Sequence, residues 1–398
     1  MAARAGTASS IRTREEILER ARAMVPALRE RALRAEQART IPVETHRAFE
    51  AAGFYRLFQP ARYGGYEMPI GMMIEVAAEL GRGCGSSAWV FTNLAVQNWE
   101  IGMALPAAQE DVWGQNRGAL AASSFPVKGG NGRRVDGGLL LNGVWSFASG
   151  IDFADWENLQ VFLPNDNAPP SHHLVLVPKA DYTIEDDWFV TGLSGTGSKS
   201  VVLKDVFVPE HRMLHTQLLT GGPSPGSAAN ASALYQVPPL TIGAAAFCGP
   251  ALGIASGALE LLEEEMGGRV SVGGARLCEQ PSVQLRLSEA AAEIRCARVL
   301  LLGTCEDAMR LAEAGGKPPL EQRALWRRDF AYAGQLCVRA VQRLFPLVGG
   351  RGLRQDSLFQ LAWRDVHAAV SQLGVAWDVQ AINAARIRFG MPSLDPRL

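Results

Sequence analysis

The sequence predicts an α+β chain in the order helices, one compact β domain, helices. Three observations carry this. Up to about residue 117, apolar residues recur at three- and four-residue intervals. From about Ala119, short β-rich runs split by Gly, Pro and Asn take over. Helical spacing then returns after a loose Gly/Pro/Ser segment and persists to the end. Strands and helices that keep apart in this way favour α+β over a doubly wound sheet, in which they alternate. The expected divisions are an N-terminal helical domain over 1–118, a central antiparallel β domain over 119–225 and a C-terminal helical bundle over 226–398.

Each element has a local reason. In "TREEILERARAMVPALRERALRAEQ", Ile17, Ala21, Met24, Val25 and Leu28 share one face, and Thr13 is placed to cap the helix. "PVETHRAFEAAGFYRLF" and "PIGMMIEVAAELGRG" continue the pattern on either side of the turn "ARYGGYEMP". "SSAWVFTNLAVQNWEIGMAL" reads as a largely buried helix. In "VDGGLLLNGVWSF", the Asp-Gly-Gly and Asn-Gly steps are hairpin chemistry. After "TGGPSPGSAANASALYQVPP", the apolar run "VPPLTIGAAAFCGPALGIASGALELL" has the length of a membrane span. Its prolines and small residues favour a tightly packed core helix instead. "SVQLRLSEAAAEIRCARVLLLGTCEDAMRLAEA" and "LEQRALWRRDFAYAGQLCVRAVQRLFPLV" complete the bundle.

Composition excludes several function classes. Lys plus Arg is 39 against 40 for Asp plus Glu, so nothing draws the chain to nucleic acid or an anionic membrane. The six cysteines have no regular spacing, which points to free thiols in a reducing cytoplasm. "MAARAGTASSIRTREE" lacks the apolar core of a signal peptide, so a soluble cytoplasmic protein is expected. No GxGxxG opens a strand–helix unit and no Walker A loop is present, which leaves no Rossmann dinucleotide site, no P-loop and no nicotinamide site. His172 and His173 have no further ligands at metal-site spacing, and no metal is expected.

One stretch stands apart. In "NGVWSFASGIDFADW", Trp145 and Phe147 alternate with Ser146 and Ala148, and the chain then breaks at Ser149-Gly150. This is either an ordinary strand end or the wall of a pocket for something flat. Four other motifs bear on the choice: "FEAAGFYRLFQPARYGGYEMP", "GCGSSAWVFTNLAVQNWEIGMAL", "GLSGTGSKSVVLKDVFVP" and "LFPLVGGRGLRQDSLFQLAWRDVHAAVSQ". Together, over about residues 40 to 390, the five resemble the acyl-CoA dehydrogenase superfamily. They are most similar to its branch of reduced-flavin-dependent two-component monooxygenases that hydroxylate phenols and steroid-derived phenols.

That resemblance implies an acyl-CoA dehydrogenase-like fold and a homotetramer. It also implies reduced FMN or FAD delivered by a separate flavin reductase, O2, and an aromatic or polyketide-like substrate. Ser149 matches the serine near the flavin N5, and Ser124 a second serine near ring or substrate. Trp145 and Phe147 are implied to form the apolar walls or to pack behind them. Gly349, Gly350 and Gly352 of "VGGRG" form a loop whose amides could approach a phosphate, or else a plain helix-to-helix turn. Arg269 and the run Trp363-Arg364-Asp365 are further candidates for flavin or interface contacts. Asn98, Trp99, Phe153 and Gln372 are the implied substrate neighbours, with Ser124, Gln97 and Gln372 orienting substrate and oxygen.

The chain departs from the family at three positions that carry histidine in the phenol hydroxylases, here Gln97, Phe153 and Gln372. An imidazole can take a phenol proton near neutral pH, whereas a glutamine can only hydrogen-bond. A substrate already ionised, or one needing no proton removal, fits that change. Two other outcomes stay open: a flavin-dependent dehydrogenase or oxidative tailoring enzyme without oxygen transfer, and a catalytically altered homologue. Acyl-CoA dehydrogenation itself needs a carboxylate base where this chain has Leu373. Glu263, Glu264 and Glu265 could supply one from another helix, but read more simply as a solvated face.

Overall fold

Thr13 starts the first helix through a capping box with Glu16. Its hydroxyl accepts from the Glu16 amide at 3.2 Å, and the Glu16 carboxylate accepts from the Thr13 amide at 3.0 Å. The structure is a computed structural model that describes residues 13–164, 170–270, 273–395 and 398. Most of the N-terminal stretch read above as lacking a signal peptide therefore lies outside the described residues. Five helices come first: α1 (Arg14–Ala38), α2 (Val43–Ala52), α3 (Gly71–Gly81), α4 (Gly85–Gly102) and α5 (Pro106–Trp113). α1 buries Ile17, Ala21, Val25 and Leu28, the stripe expected from its spacing, whereas α4 fully buries every residue but Glu100, which is half-buried with its carboxyl turned inward to Asn158.

The middle of the chain forms seven strands, β1 (Ala121–Val135), β2 (Gly138–Ala148), β3 (Trp156–Leu163), β4 (Ser171–Pro178), β5 (Thr183–Glu185), β6 (Lys199–Pro209) and β7 (Met213–His215), in the order β5-β6-β2-β1-β3-β4-β7. The expected antiparallel sheet is in fact mixed. Ala121–Ser124 of β1 pairs parallel with Trp156–Leu159 of β3, and every other pairing is antiparallel. The reason is the length of β1: its first residues pair with β3, and from Phe125 onward, through register shifts between Phe125 and Asn131, it pairs with β2. The chain crosses from β2 back to β3 through residues 149–155, the segment that carries the Ser-Gly break.

Six helices follow: α6 (Pro239–Ala246), α7 (Cys248–Met266), α8 (Pro281–Glu313), α9 (Leu320–Val348), α10 (Leu358–Ala369) and α11 (Trp377–Arg388). The apolar stretch Pro239–Met266 is long and apolar enough to cross a membrane, but its most apolar part is mostly buried against protein, where a core helix belongs. Its small residues serve close packing. At Gly253 of α7 a Cβ would sit 2.5 Å from the Ala78 carbonyl of α3, so only glycine lets the two backbones meet. Glu263, Glu264 and Glu265 are exposed, as a solvated face requires. Between the helical layers, residues 189–198 thread past α1, α4 and α10 to reach the end of β2.

Candidate active site

β2 leaves the sheet in a strained turn. Phe147 has φ 70°, left-handed backbone that costs a non-glycine residue about 1–3 kcal/mol and collects at functional sites. Gly150 follows at φ 75°, where a Cβ would lie 3.0 Å from Val90 of α4. Between them Ser149 is buried, and its hydroxyl accepts from Trp89 Nε1 at 3.0 Å. From Ser149 a chain of hydroxyls runs on, to Ser198 at 2.7 Å and from Ser198 to Thr196 at 2.7 Å. Thr196 closes it by donating to the Leu193 carbonyl at 2.8 Å.

The direction of this chain is determined. An indole N–H only donates, a carbonyl only accepts, and each hydroxyl has one proton. Thr196 spends its proton on Leu193, so Ser198 must donate to Thr196 and Ser149 to Ser198. Ser149 therefore accepts from Trp89, donates to Ser198, and keeps one lone pair. It can receive a further hydrogen bond but cannot give one.

The far end is anchored with equal care. Leu193 sits at φ 52°, and its amide donates to Asp365 Oδ1 of α10 at 2.6 Å. Its carbonyl also accepts from Trp188 Nε1 at 3.3 Å. Asp365 is buried, and burial pushes its carboxyl up to about 7 against the Leu193 amide, which favours the ionised form. Arg364, beside it, pairs with Glu36 of α1 and donates to the Thr191 carbonyl.

A polar seam extends from Ser149 along α4. Asn93 donates to the Ser149 carbonyl at 2.7 Å and accepts from the Ser123 hydroxyl at 3.1 Å. One turn on, Gln97 Oε1 accepts from Asn158 Nδ2 at 2.8 Å, and Glu100 accepts from the same amide at 3.0 Å. Burial pushes Glu100 up to about 8. Ser123 and Asn158 are register partners across β1 and β3, so they share the face turned to α4. Ser124 points the other way, beside Glu157, whose carboxyl burial pushes up to about 8 against the influence of that hydroxyl. The structure thus puts Ser123, and not Ser124, next to the Ser149 segment.

On the open side, Phe147 is 49% exposed and meets the edge of Trp188 at 6.0 Å. Phe189 is 73% exposed under the Arg39 guanidinium at 4.0 Å. Phe153 stacks on His46 of α2 at 4.4 Å. Burial lowers the pKa of His46, so this imidazole is neutral over more of the physiological range. Exposed aromatic surface beside a buried hydroxyl with one free lone pair suits a flat ring with a polar edge, and these residues fit a flavin.

The other expected site residues have local partners. Asn98 donates to the Tyr55 carbonyl at 2.6 Å, Trp99 to the Leu234 carbonyl at 2.9 Å, and Trp145 to the Gln160 carbonyl at 2.9 Å, so all three serve the core. Gln372 lies past the end of α10 and accepts from the Gly374 amide at 2.6 Å. Arg269 donates to the carbonyls of Leu347 and Val348 at 3.0 and 3.2 Å and so caps the end of α9. Gly349, Gly350 and Gly352 close α9 as a 3-10 turn and do not open α10, which begins past Arg354 under its own Ser357 cap. Gly349 and Gly350 are exposed and Gly352 is buried. Within one chain, none of the bonds of Arg269 or Gln372 reaches the hydroxyl chain. Residues not singled out in the sequence are Trp89, Asn93, Ser123, Asn158, Thr196, Ser198 and His46.

Comparison with known proteins agrees with this architecture. Residues 12–111 match the acyl-CoA dehydrogenase N-terminal domain and residues 245–377 the acyl-CoA dehydrogenase C-terminal domain. The chain is 36% identical to the flavin-dependent monooxygenase oxygenase subunit HsaA of Rhodococcus jostii, over 88% of this chain and 92% of that protein. It is 35% identical to the FADH2-dependent resorcinol hydroxylase oxygenase component of a Rhizobium species, over 91% of each. The crystal structure of the Mycobacterium tuberculosis HsaA monooxygenase superposes with TM-score 0.91 at 33% identity, covering 97% of this chain and all of that one. XiaF from a Streptomyces species, solved with FADH2 and glycerol, superposes with TM-score 0.89 at 28% identity over 97% of this chain and 98% of its own. The chain belongs to the acyl-CoA dehydrogenase superfamily, in its branch of flavin-dependent monooxygenase oxygenase components.

Proposed function

We propose that this chain hydroxylates a phenolic or polyketide-like aromatic molecule with O2 and a reduced flavin, FMN or FAD, delivered by a separate reductase. The observation that carries the proposal is the Ser149 hydroxyl, buried next to exposed aromatic surface, with its one proton given to Ser198 and only a lone pair left for a ligand. Reduced flavin carries an N–H at N5 and oxidised flavin does not, so an acceptor there favours the reduced form. When bound, the flavin supplies the electrons that divide O2 between the product hydroxyl and water. The protein holds that ring and keeps water from it. Ser149 receives the N5 proton's hydrogen bond, Phe147 and Trp188 cover the ring, and the seam of Asn93, Ser123 and Gln97 orients the substrate.

Gln97 cannot act as a base, so the substrate either arrives ionised or loses its proton to another group. Acyl-CoA dehydrogenation gains no support, because Leu373 is 51% exposed and apolar. A cytoplasmic homotetramer is the assembly the family likeness favours, with the Gly349–Gly352 turn and Arg269 available to a ring held by a neighbouring subunit.

The test is a turnover with chemically reduced flavin, 18O2 and a panel of phenols, hydroquinones and enolic aromatics. One heavy oxygen in a hydroxylated product is expected. Hydrogen peroxide alone across the whole panel would contradict the proposal.

A further inference from the structure

The Arg364-Asp365 pair of α10 belongs to no step of the proposed reaction, yet it grips the loop that ends at the site. Asp365 is 2% exposed, so its carboxylate is held out of water for a reason local to the fold. Its Oδ1 takes the Leu193 amide at 2.6 Å. Leu193 occupies left-handed backbone at φ 52°, which a branched apolar residue adopts only under constraint. With the amide fixed on one side, the carbonyl of the same residue faces Thr196 and Trp188 on the other. That carbonyl is the sole terminus that gives the hydroxyl chain its direction. If the Leu193–Ser194 peptide turned over on release of the Leu193 amide, Thr196 would lose its acceptor, and Ser198 and Ser149 could reverse.

We propose that Asp365 is a positioning residue that, through the Leu193 turn, Thr196 and Ser198, makes Ser149 an acceptor toward the site. Asp365 touches neither Ser149 nor any group placed against substrate; it acts by holding the Gly192–Leu193 peptide, from which the left-handed backbone of Leu193 sets the direction of the next peptide, the one that carries the Leu193 carbonyl. Arg364 supports the same loop through the Thr191 carbonyl and ties it to α1 through Glu36. The role given to Ser149 rests on the functional proposal above, but the link from Asp365 to Ser149 does not.

Trp89 reports on the link, because its indole donates to the Ser149 hydroxyl. The full-length chain labelled with 5-fluorotryptophan gives a fluorine resonance for Trp89, assigned with Trp89→Phe. Asp365→Ala should move that resonance, and Asp365→Asn, which keeps an acceptor for the Leu193 amide, should leave it in place. Ser198→Ala cuts the chain, so Asp365→Ala in that background should produce no further movement. An equal movement with and without Ser198 would mean that the effect travels through the adjoining start of α4, and would overturn the proposal. If Asp365→Ala does not fold, Asp365→Ser carries the same expectation.

Anaerobic binding of reduced FMN supplies the second readout. Ser149→Ala and Asp365→Ala should each raise its dissociation constant about threefold to tenfold, the worth of one hydrogen bond, and the double variant no more than the larger of the two. Additive losses would overturn the proposal. If Ser149→Ala binds reduced FMN as the wild type does, the reading of Ser149 as a flavin contact falls, and the fluorine experiment still decides the role of Asp365.

Discussion

Trp89 and Ser149 lie 60 positions apart and meet where the indole Nε1–H reaches the serine hydroxyl at 3.0 Å. That bond uses one of two lone pairs on Ser149 and fixes the starting end of the hydroxyl chain, as Leu193 fixes the other. The proposed function gives Ser149 a place in the reaction, and the Leu193 end of the chain gives it a polarity.

Ser149→Ala leaves the Trp89 indole without an acceptor and Ser198 without a donor in a buried place. A stability loss of about 1–3 kcal/mol follows, measured by urea unfolding. In turnover the same variant should release more hydrogen peroxide per O2 consumed than the wild type. An unchanged ratio of peroxide to product would remove Ser149 from the chemistry.

Gly150→Ala tests the strand end. The new methyl must adopt φ 75° and meet Val90 at 3.0 Å, so the variant should lose about 1–3 kcal/mol of stability. Thermal unfolding with both probes of helix and aromatic packing checks it. A variant as stable as the wild type would show that α4 yields there.

Glu100 and Glu157 give the pH dependence. Burial pushes both carboxyls up to about 8. Between their ordinary pKa of about 4.5 and 8, the folded chain retains protons that the unfolded chain has released. The contribution of these groups therefore favours folding below that window and falls away as pH rises through it. Glu157→Gln should flatten the decline and leave the protein more stable than wild type at pH 8. Urea midpoints measured from pH 5 to 9 decide this, and parallel curves for the two proteins would refute it.

Much of the fold was legible because it is local. The Thr13 cap, the stripe on α1 and the core character of Pro239–Met266 follow from spacing and residue size alone. The parallel pairing of β1 with β3 was not, because it joins strands across a hairpin and leaves no mark in either run. The site was legible in part for a similar reason. In α4 all residues but Glu100 are buried, so periodicity cannot say which face meets the sheet. Asn98 and Trp99 therefore looked as good as Trp89 and Asn93. In "AASSF" both serines sit in a strand covered on both faces, and only the register with β3 tells Ser123 from Ser124.

The most direct measurement of the central claim is an anaerobic titration of the purified chain with reduced and with oxidised FMN and FAD. The account predicts saturable binding of a reduced flavin, tighter than that of its oxidised form, because Ser149, its proton given to Ser198, can only accept from the ring. Equal affinity for both forms, or tighter binding of the oxidised one, would contradict it.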